Sequence, residues 1–236
     1  MGARVPRAPL SFGYTRWTVN SSSSAQPVLH DDGPGETSAP PAPRHAMLTW
    51  QGESVSRLES VRLLFGPELR MRASGRLIAA PDAEGTYSAE YELTIDESGV
   101  VRRVLVRSTS LGHERQVSLS RSGEGNWLVD DGSGVRRDTY EGAVEVNIED
   151  VMFTNALPVR RLNLHRESGE YTQPVIFVSL PDLQVTVRQE TYRTVSTLDG
   201  DPQRAVICYE TGGDKVDLTV TENGLVANFP GLAHLV

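Results

Sequence analysis

Two adjacent arginines, Arg160 and Arg161, are the residues whose type and position best suit the binding of an anionic group. A guanidinium group stays charged and presents a planar fork of donors that matches a carboxylate or a phosphate. Residues 159–164 (VRRLNL) alternate as a strand does, which would place Arg160 on one face with Leu162 and Leu164, and Arg161 on the other. If the leucine face is buried, Arg160 needs an anionic partner there.

That partner would be either a carboxylate of this chain or the head group of a ligand. Glu59, Glu149 and Asp150 are the internal candidates. An internally paired or partly exposed arginine is the simpler interpretation, because proteins rarely bury an unpaired charge. The sequence leaves both alternatives open.

The arginines follow a segment that the sequence predicts to be a strand, a turn and a second strand. Residues 143–149 alternate apolar and polar side chains, which is typical of a strand with one buried face. In the next residues, 153–158, Asn155 tolerates turn conformations and Pro158 favours an extended residue before it. We therefore expect a turn there, which aims the second strand.

Other catalytic or metal-binding patterns are weak. No two of the five histidines have metal-ligand spacing, and the glycine pairs at 123–125 and 132–134 fit neither a dinucleotide fingerprint nor a nucleophile elbow. Carboxylates at 130–131 and at 145, 149 and 150 could hide a catalytic pair, but a loop and a solvated strand face are the simpler interpretations. The sequence thus predicts no cofactor, no metal and no enzyme activity.

Residues 150–162 (DVMFTNALPVRRL) resemble the signature of the glycolipid-binding family, a group of bacterial proteins. The resemblance continues in residues 185–192, which contain Tyr192, in 206–210, which contain Tyr209, and in 223–232. One departure is Val151-Met152, where the family often has Thr-Pro. The resemblance implies an all-β, half-barrel-like protein similar in shape to lipoprotein and glycolipid carriers, with no catalytic residues to transfer. The candidate ligand contacts are then Arg160, Arg161, Asn155, Tyr192, Tyr209 and Glu59.

The composition limits the possible partners. With 31 acidic and 23 basic residues among 236, the chain has a net charge of −8, which disfavours nucleic acid. The single cysteine, Cys208, lies in an apolar run typical of an inert core thiol, and no apolar stretch is long enough to cross a membrane. Together with the lack of a secretory signal, these features predict a cytoplasmic protein. The oligomeric state stays open.

The domain organisation follows from a change in composition near residue 46. Residues 1–45 are rich in Ser, Pro and Gly, which favours a disordered tail. Alternatively, Met47 is the true start, and the residues before it are not part of the protein. Residues 46–236 form one β domain, because short apolar runs recur between turn signals. The strands are predicted at 58–65, 76–80, 88–95, 100–107, 115–120, 127–129, 143–149, 159–164, 175–180, 185–195, 204–209, 215–220 and 225–229.

The predicted fold class is all-β, a mainly antiparallel curved sheet of the half-barrel or β-roll type. Residues 54–65 could pass for a short helix, but their apolar side chains do not form one stripe. Residues 92–101 align without gaps on 217–226, which indicates two similar hairpins with turns at Ser98-Gly99 and Asn223-Gly224, the second a type I′ signal. An internal duplication or the small repertoire of turn residues explains this match equally well.

Three functions remain from different classes. The favoured one is a non-catalytic protein that holds an amphiphilic lipid or glycolipid on the concave face of the sheet, with an arginine near the head group. The second is an enzyme acting on such a ligand, which the missing nucleophile and base disfavour. The third is a protein-interaction scaffold without a small ligand, which would use an exposed sheet edge.

Overall fold

The computed structural model describes residues 44–81, 85–199 and 204–236. Residues 1–43 of the tail predicted at 1–45 lie outside the described residues. The first strand begins at Arg44, so regular structure starts slightly before the predicted boundary at residue 46. In the described residues no helix combines the length and the apolar character needed to cross a bilayer.

Strands dominate the described residues, and one α-helix, α1 (Met152–Arg161), interrupts them. The strands are β1 (Arg44–Gly52), β2 (Ser56–Phe65), β3 (Met71–Ala80), β4 (Tyr87–Ile95), β5 (Val101–Ser110), β6 (Glu114–Arg121), β7 (Trp127–Asp130), β8 (Val135–Asp138), β9 (Glu145–Ile148), β10 (Glu170–Val178), β11 (Val185–Ser196), β12 (Arg204–Thr211), β13 (Asp214–Thr221), β14 (Val226–Phe229) and β15 (Ala233–Leu235).

All these strands belong to one sheet in the order β8-β7-β6-β5-β4-β3-β2-β1-β15-β14-β13-β12-β11-β10-β9. Neighbouring strands are antiparallel except β9 and β10, which are parallel. The parallel pair arises because α1 connects β9 to β10, and a parallel connection needs such a crossover. The predicted all-β, mainly antiparallel curved sheet is confirmed.

The sheet curves around a core on its inner face. In β3 and β4, buried and exposed side chains alternate regularly, as expected of strands with one dry face. The curvature brings the residues just before β9 against strands from the other half of the sheet. The indole Nε1 of Trp127 donates to the Ala143 carbonyl at 2.9 Å, and the Val101 amide donates to the Val144 carbonyl at 3.2 Å. Cys208 is a buried free thiol.

Every predicted strand overlaps an observed one except 159–164. The segment 54–65, considered as a helix, is occupied by β2. The sequence prediction missed β1, β8 and β15. Strand β8 reads VRRD and is exposed along its whole length, so it lacks the alternation on which the prediction depended.

The prediction of a turn at 153–158 and a strand at 159–164 is wrong, because residues 152–161 form α1. All residues from Met152 to Val159 are buried, and the ring of Phe153 stacks on Tyr91 of β4 at a centroid distance of 6.5 Å. Pro158 lies inside this helix, where a proline costs about 3 kcal/mol. Burial of both sides of the helix offsets that cost, since packing overrides local preference.

The two similar hairpins are β4–β5 and β13–β14, and their turns are alike. In each, a glycine with positive φ, Gly99 or Gly224, donates back to the residue three positions earlier. The residues before them, Ser98 and Asn223, have no positive φ, so the predicted type I′ turn is wrong. The pairing is that of a three-residue loop closed by a glycine bulge. Whether the hairpins are duplicated stays open.

Candidate functional site

Four neighbouring strands, β9 to β12, direct polar side chains from the inner face of the sheet toward α1. Alternation places Glu145 and Asn147 of β9 on this face, and strand register places Gln173 beside Glu190. The register of β11 and β12 places Tyr192 opposite Tyr209. We define the interior cluster as Glu145, Asn147, Asn155, Arg161, Gln173, Glu190, Tyr192 and Tyr209.

The first carboxylate of the interior cluster, Glu190, is completely buried and receives several hydrogen bonds. Asn147 Nδ2 donates to Oε1 at 2.9 Å, and the Tyr192 hydroxyl donates to Oε2 at 2.9 Å. The Tyr209 hydroxyl is a further hydrogen-bond partner. Burial raises the pKa of Glu190, while these hydrogen bonds lower it. Glu190 is therefore a buried acceptor held in place from three sides.

The second carboxylate, Glu145, is 1% exposed and pairs with the end of the helix. Arg161 Nε donates to Glu145 Oε1 at 2.5 Å, and Arg161 Nη2 donates to Gln173 Oε1 at 2.5 Å. The other atoms of these partners, Glu145 Oε2 and Gln173 Nε2, are buried without a hydrogen-bond partner in the described part of the chain. Burial raises the pKa of Glu145 to about 7, although Arg161 lowers it. One acceptor, Glu145 Oε2, and one donor, Gln173 Nε2, thus remain free, and both belong to side chains that Arg161 binds.

Helix α1 is tied to β9 by a short polar network. The Thr154 hydroxyl donates to Asn147 Oδ1 at 3.0 Å and accepts the Ile148 amide at 3.3 Å. Asn155 Nδ2 donates to the Val151 carbonyl at 3.2 Å, and its Oδ1 lies 3.5 Å from Asn147 Nδ2. This network orients the amide groups next to Glu190.

Aromatic rings form one wall of the interior cluster. Tyr192 and Tyr209 pack with a centroid distance of 5.1 Å, and Tyr209 contacts Phe229 edge to face at 6.0 Å. Farther along the neighbouring strands, the exposed Arg188 of β11 lies with its guanidinium carbon 3.2 Å from the centroid of Phe177 of β10. The register places this pair at the other end of β10 from Tyr171, the partner of Tyr192.

The N-terminus of α1 is held by a residue from a distant strand, Glu59 of β2. Its carboxylate accepts the amides of Met152 at 2.6 Å and Phe153 at 3.3 Å, and the Tyr91 hydroxyl at 2.6 Å. Burial raises the pKa of Glu59 to about 7 against these hydrogen bonds and Arg57. Anions stabilise a helix N-terminus, so Glu59 acts as a cap supplied by the sheet. It does not pair with Arg160.

Just before this helix, Asp150 pairs with a buried arginine. Arg57 is 2% exposed in its side chain, and its Nη1 lies 2.8 Å from Asp150 Oδ1. Asp150 has φ of 63°, which turns the chain from β9 into α1. The candidate pair of Arg160 with Asp150 is therefore wrong, because Arg57 occupies that carboxylate.

The prediction that Arg160 and Arg161 lie on opposite faces of a strand is wrong, because both are at the end of α1, where consecutive side chains diverge by about 100°. Arg160 donates to the Asn223 carbonyl and lies 5.5 Å from the centroid of the Phe65 ring. Both arginines pack against the glycine turns of the two similar hairpins. A Cβ at Gly224 would lie 2.8 Å from Arg160 Cγ, and one at Gly99 would lie 3.1 Å from Arg161 Cγ. Glycine is required at these turns both for its φ and for this close approach.

The family model described as "Putative glycolipid-binding" matches residues 47–234. The chain belongs to this family. None of the curated proteins matches the chain.

Two solved structures are similar to this chain. A crystal structure of a DUF1089 family protein from Pseudomonas aeruginosa is 23% identical, covers 88% of this chain and 98% of its own, and superposes with a TM-score of 0.58. A beta-barrel-like protein of domain of unknown function DUF1849 from Brucella abortus is 9% identical, covers 83% and 96%, and has a TM-score of 0.44. The first likeness supports the fold alone.

The family motif, residues 150–162, forms α1 and brings some of the predicted ligand contacts together. Arg161, Asn155, Tyr192 and Tyr209 all belong to the interior cluster. Two predicted contacts lie elsewhere, since Arg160 contacts the Asn223 turn and Glu59 caps α1. The ligand role of all six stays a prediction.

Sequence reasoning did not select four members of the interior cluster, namely Glu145, Asn147, Gln173 and Glu190. A signal for two of them was present, because Glu145 and Asn147 alternate with Val146 and Ile148 in a strand buried on both faces. A strand with polar side chains on one face was interpreted as half-solvated, whereas α1 covers that face. Gln173 and Glu190 become neighbours only through the register of β10 and β11.

No group of three or more His, Cys, Asp or Glu side chains in residues 44–81, 85–199 and 204–236 has an arrangement that could hold a metal ion. The side chains of the interior cluster can form hydrogen bonds and exchange protons. Its groups include carboxylates, amides, phenols and one guanidinium, all of which pair well with hydroxyl groups.

Proposed function

We propose that this protein binds an amphiphile with a polyhydroxylated, sugar-like head group and does not transform it. The interior cluster receives the head group. The observation that carries this proposal is the pair of unpartnered buried atoms, Glu145 Oε2 and Gln173 Nε2. A hydroxyl group both donates and accepts, so one sugar hydroxyl bridging these atoms satisfies both.

The two unpartnered atoms lie close to solvent on the side of Arg161. Arg161, which contacts both Glu145 and Gln173, is 18% exposed in its side chain, whereas Glu145 is 1% exposed. The free atoms therefore lie directly beneath a residue that reaches solvent. A small movement of Arg161 admits a hydroxyl group without unfolding of the strands.

The apolar part of the ligand fits the aromatic wall. Phe229 and Val216 are partly buried side chains next to Tyr209. An apolar chain along these rings would remove their remaining surface from water, which is favourable by about 25 cal/mol per Å² of apolar area. The family description agrees with a ligand of this type.

The test is a titration with a long-chain alkyl glycoside below its micelle concentration, followed by calorimetry. A polyoxyethylene ether with the same alkyl chain is the matched ligand without a sugar. Glu145→Gln is the key variant, because it keeps the shape and an acceptor for Arg161 but turns the free acceptor into a donor. Glu170→Gln, an exposed residue on the neighbouring strand β10, is the matched control.

We expect the glycoside to bind more tightly than the ether, and Glu145→Gln to weaken glycoside binding by about tenfold or more. Glu170→Gln should bind as the wild type does. Equal binding of glycoside and ether, or equal binding by wild type and Glu145→Gln, would rule out head-group recognition at this cluster.

A second candidate function, cleavage of a glycosidic bond, is favoured by one observation. Burial raises the pKa of Glu145 to about 7 and also raises the pKa of Glu190, and a buried carboxyl group with a raised pKa can serve as a general acid. Incubation with the alkyl glycoside followed by mass spectrometry separates the two functions. We expect the glycoside to be recovered intact, and release of free sugar that Glu190→Gln abolishes would establish the enzyme instead. A scaffold without a small ligand would bind neither amphiphile.

A further inference from the structure

A groove on the outer face of the sheet, far in sequence from the interior cluster, combines basic and apolar side chains. Its basic part is a cavity of about 480 Å³ over β2 to β5. The cavity is lined by Arg62, Leu64, Arg72, Ala73, Ser74, Glu92, Leu93, Thr94, Arg103 and Leu105. We call this cavity and its apolar extension, described below, the outer groove.

Strand register explains why three arginines surround this cavity. Arg72 of β3 is opposite Thr94 of β4, which is in turn opposite Arg103 of β5. Arg62 of β2 is opposite Ser74, which is two residues from Arg72 along β3. Side chains separated by two residues on a strand share a face, so all three guanidinium groups rise from the outer face around Thr94.

These three arginines differ from their neighbours in having no ion pair. Arg70 pairs with Glu97 at 2.7 Å, Arg76 with Glu90 at 3.0 Å and Arg102 with Asp96 at 2.6 Å. Within the described residues, Arg62, Arg72 and Arg103 make neither an ion pair nor a side-chain hydrogen bond.

Glu92 is the one carboxylate of the cavity lining. The cavity therefore keeps an excess of positive charge in a chain whose net charge is −8. Like charges brought together cost free energy in the empty protein, and a bound anion relieves that cost.

The outer groove continues into an apolar part. A second cavity of about 390 Å³, at the ends of β2, β3 and β4, is lined on its apolar side by Leu64 and the partly buried Phe65, and it also touches Met71 and Ile95, which are each 2% exposed. It shares Leu64, Arg72 and Thr94 with the basic cavity, so the two are continuous. Volumes of this size match those of small-molecule sites, and a concave site suits a single molecule better than a flat membrane surface.

We propose that the outer groove binds one molecule of an anionic, phosphate-bearing lipid. Its phosphate group lies among Arg62, Arg72 and Arg103, and its chain passes Leu64 toward Phe65 at the end of β2. Arginine is suited to this role because its fork of donors binds phosphate oxygens in pairs. This site lies outside the interior cluster, and its ligand is distinguished by charge rather than by hydroxyl groups.

The experiment uses monomeric monoacylglycerol phosphate as the probe, with binding measured by calorimetry on the full chain. Neutral monoacylglycerol and inorganic phosphate are the two partial ligands. Arg72→Gln is the key variant, and Arg76→Gln is its matched control on the same face of β3, because Glu90 already neutralises Arg76. Both residues are exposed, so both variants should keep the fold, which circular dichroism checks. Arg103→Gln repeats the test should Arg72→Gln unfold.

We expect monoacylglycerol phosphate to bind at least about tenfold more tightly than either partial ligand, and Arg72→Gln to weaken it by about tenfold. Arg76→Gln and the interior variant Glu145→Gln should bind the probe as the wild type does, and added salt should weaken binding. Conversely, Arg72→Gln should leave alkyl glycoside binding unchanged, so failure at one site is separable from failure at the other.

Four results would overturn the proposal. The first is unchanged binding in Arg72→Gln or Arg103→Gln, and the second is an equal loss in Arg76→Gln. The third is inorganic phosphate binding as tightly as the lipid, which would make the groove a site for free anions. The fourth is binding to vesicles of acidic lipid without binding to the monomeric probe, which would indicate a membrane-docking surface.

Discussion

Arg161 and Arg160 are adjacent in sequence but belong to different environments, and their replacement should separate the two. Arg161→Met removes the partner of the buried Glu145 and should lower the free energy of unfolding at about pH 8 by about 3 to 5 kcal/mol. Arg160→Met removes a contact with the Phe65 ring and a hydrogen bond to a carbonyl, and should cost about 1 kcal/mol. Urea titration of both variants measures the difference.

The control for this pair is the double variant Arg161→Met with Glu145→Gln. Without the carboxylate there is no uncompensated buried charge, so the double variant should recover most of the stability that Arg161→Met loses. Equal losses in the two single variants, or no recovery in the double variant, would contradict the assigned pairing.

Glu59 provides a second test at the scale of a single residue. In Glu59→Gln one carboxylate oxygen becomes an amide group that faces donors, namely the Met152 and Phe153 amides or the Tyr91 hydroxyl. We expect the free energy of unfolding to fall by about 2 to 4 kcal/mol. Glu90→Gln, which alters an exposed carboxylate paired with Arg76, should change it by less than about 1 kcal/mol. A loss in Glu59→Gln no larger than that control would remove Glu59 as the cap of α1.

At the scale of elements, the sequence predicted the strands of the sheet well and the helix not at all. The strands have regular alternation, which depends only on local residues, as in β3 and β4. Met152, Phe153, Ala156 and Leu157 have helical spacing, but the sequence analysis used only Asn155 and Pro158, which favour a turn. The cap of α1, Glu59, is far away in the chain, so no local pattern could reveal it.

The same distance explains why half of the interior cluster was missed. Asn155 and Arg161 are in the family motif, and Tyr192, Tyr209 and Glu190 are in the segments that resemble the family, but no local pattern marks Glu190 as buried. The buried carboxylates Glu145 and Glu190 are brought together by the crossover through α1 and by the register of three strands. Such contacts depend on the completed sheet and not on any short stretch of residues.

The link between α1 and β9 can be tested through Thr154. Thr154→Val keeps the shape of the side chain but removes the hydroxyl that bonds Asn147, the Ile148 amide and the Val151 carbonyl. The buried amide and carbonyl groups lose partners, so the free energy of unfolding should fall by about 1 to 3 kcal/mol. Thr172→Val, at an exposed threonine of β10, should have almost no effect when both are measured by thermal unfolding. A Thr154→Val protein as stable as Thr172→Val would show that the network does not hold the helix.

For the whole molecule, the buried carboxyl groups predict how stability depends on pH. Burial raises the pKa values of Glu59 and Glu145 to about 7, so near pH 6 the folded protein holds protons that the unfolded chain has released. Stability from these groups is therefore lost as the pH rises through 7, by about 1 kcal/mol per group between about pH 6 and pH 8. Burial lowers the pKa of His165, so its contribution to stability has the opposite pH dependence. That contribution is lost as the pH falls through the lowered pKa.

The variant Glu145→Gln isolates one of these groups. Its free energy of unfolding should change less than that of the wild type between about pH 6 and pH 8, with the difference near 1 kcal/mol. Denaturant titrations at several pH values give both curves, and Glu170→Gln serves as the exposed control. Parallel curves for wild type and Glu145→Gln would mean that Glu145 does not take up a proton on folding in this range.

The central claim, that the protein holds an amphiphile by its head group at the interior cluster, is tested most directly by native mass spectrometry of protein purified from its own cells. The account predicts that the wild type and Glu170→Gln retain an additional mass, that this mass fragments to a glycolipid, and that Glu145→Gln, although folded, is recovered without it. A wild-type protein with no added mass, or the same mass retained by Glu145→Gln, would contradict the account.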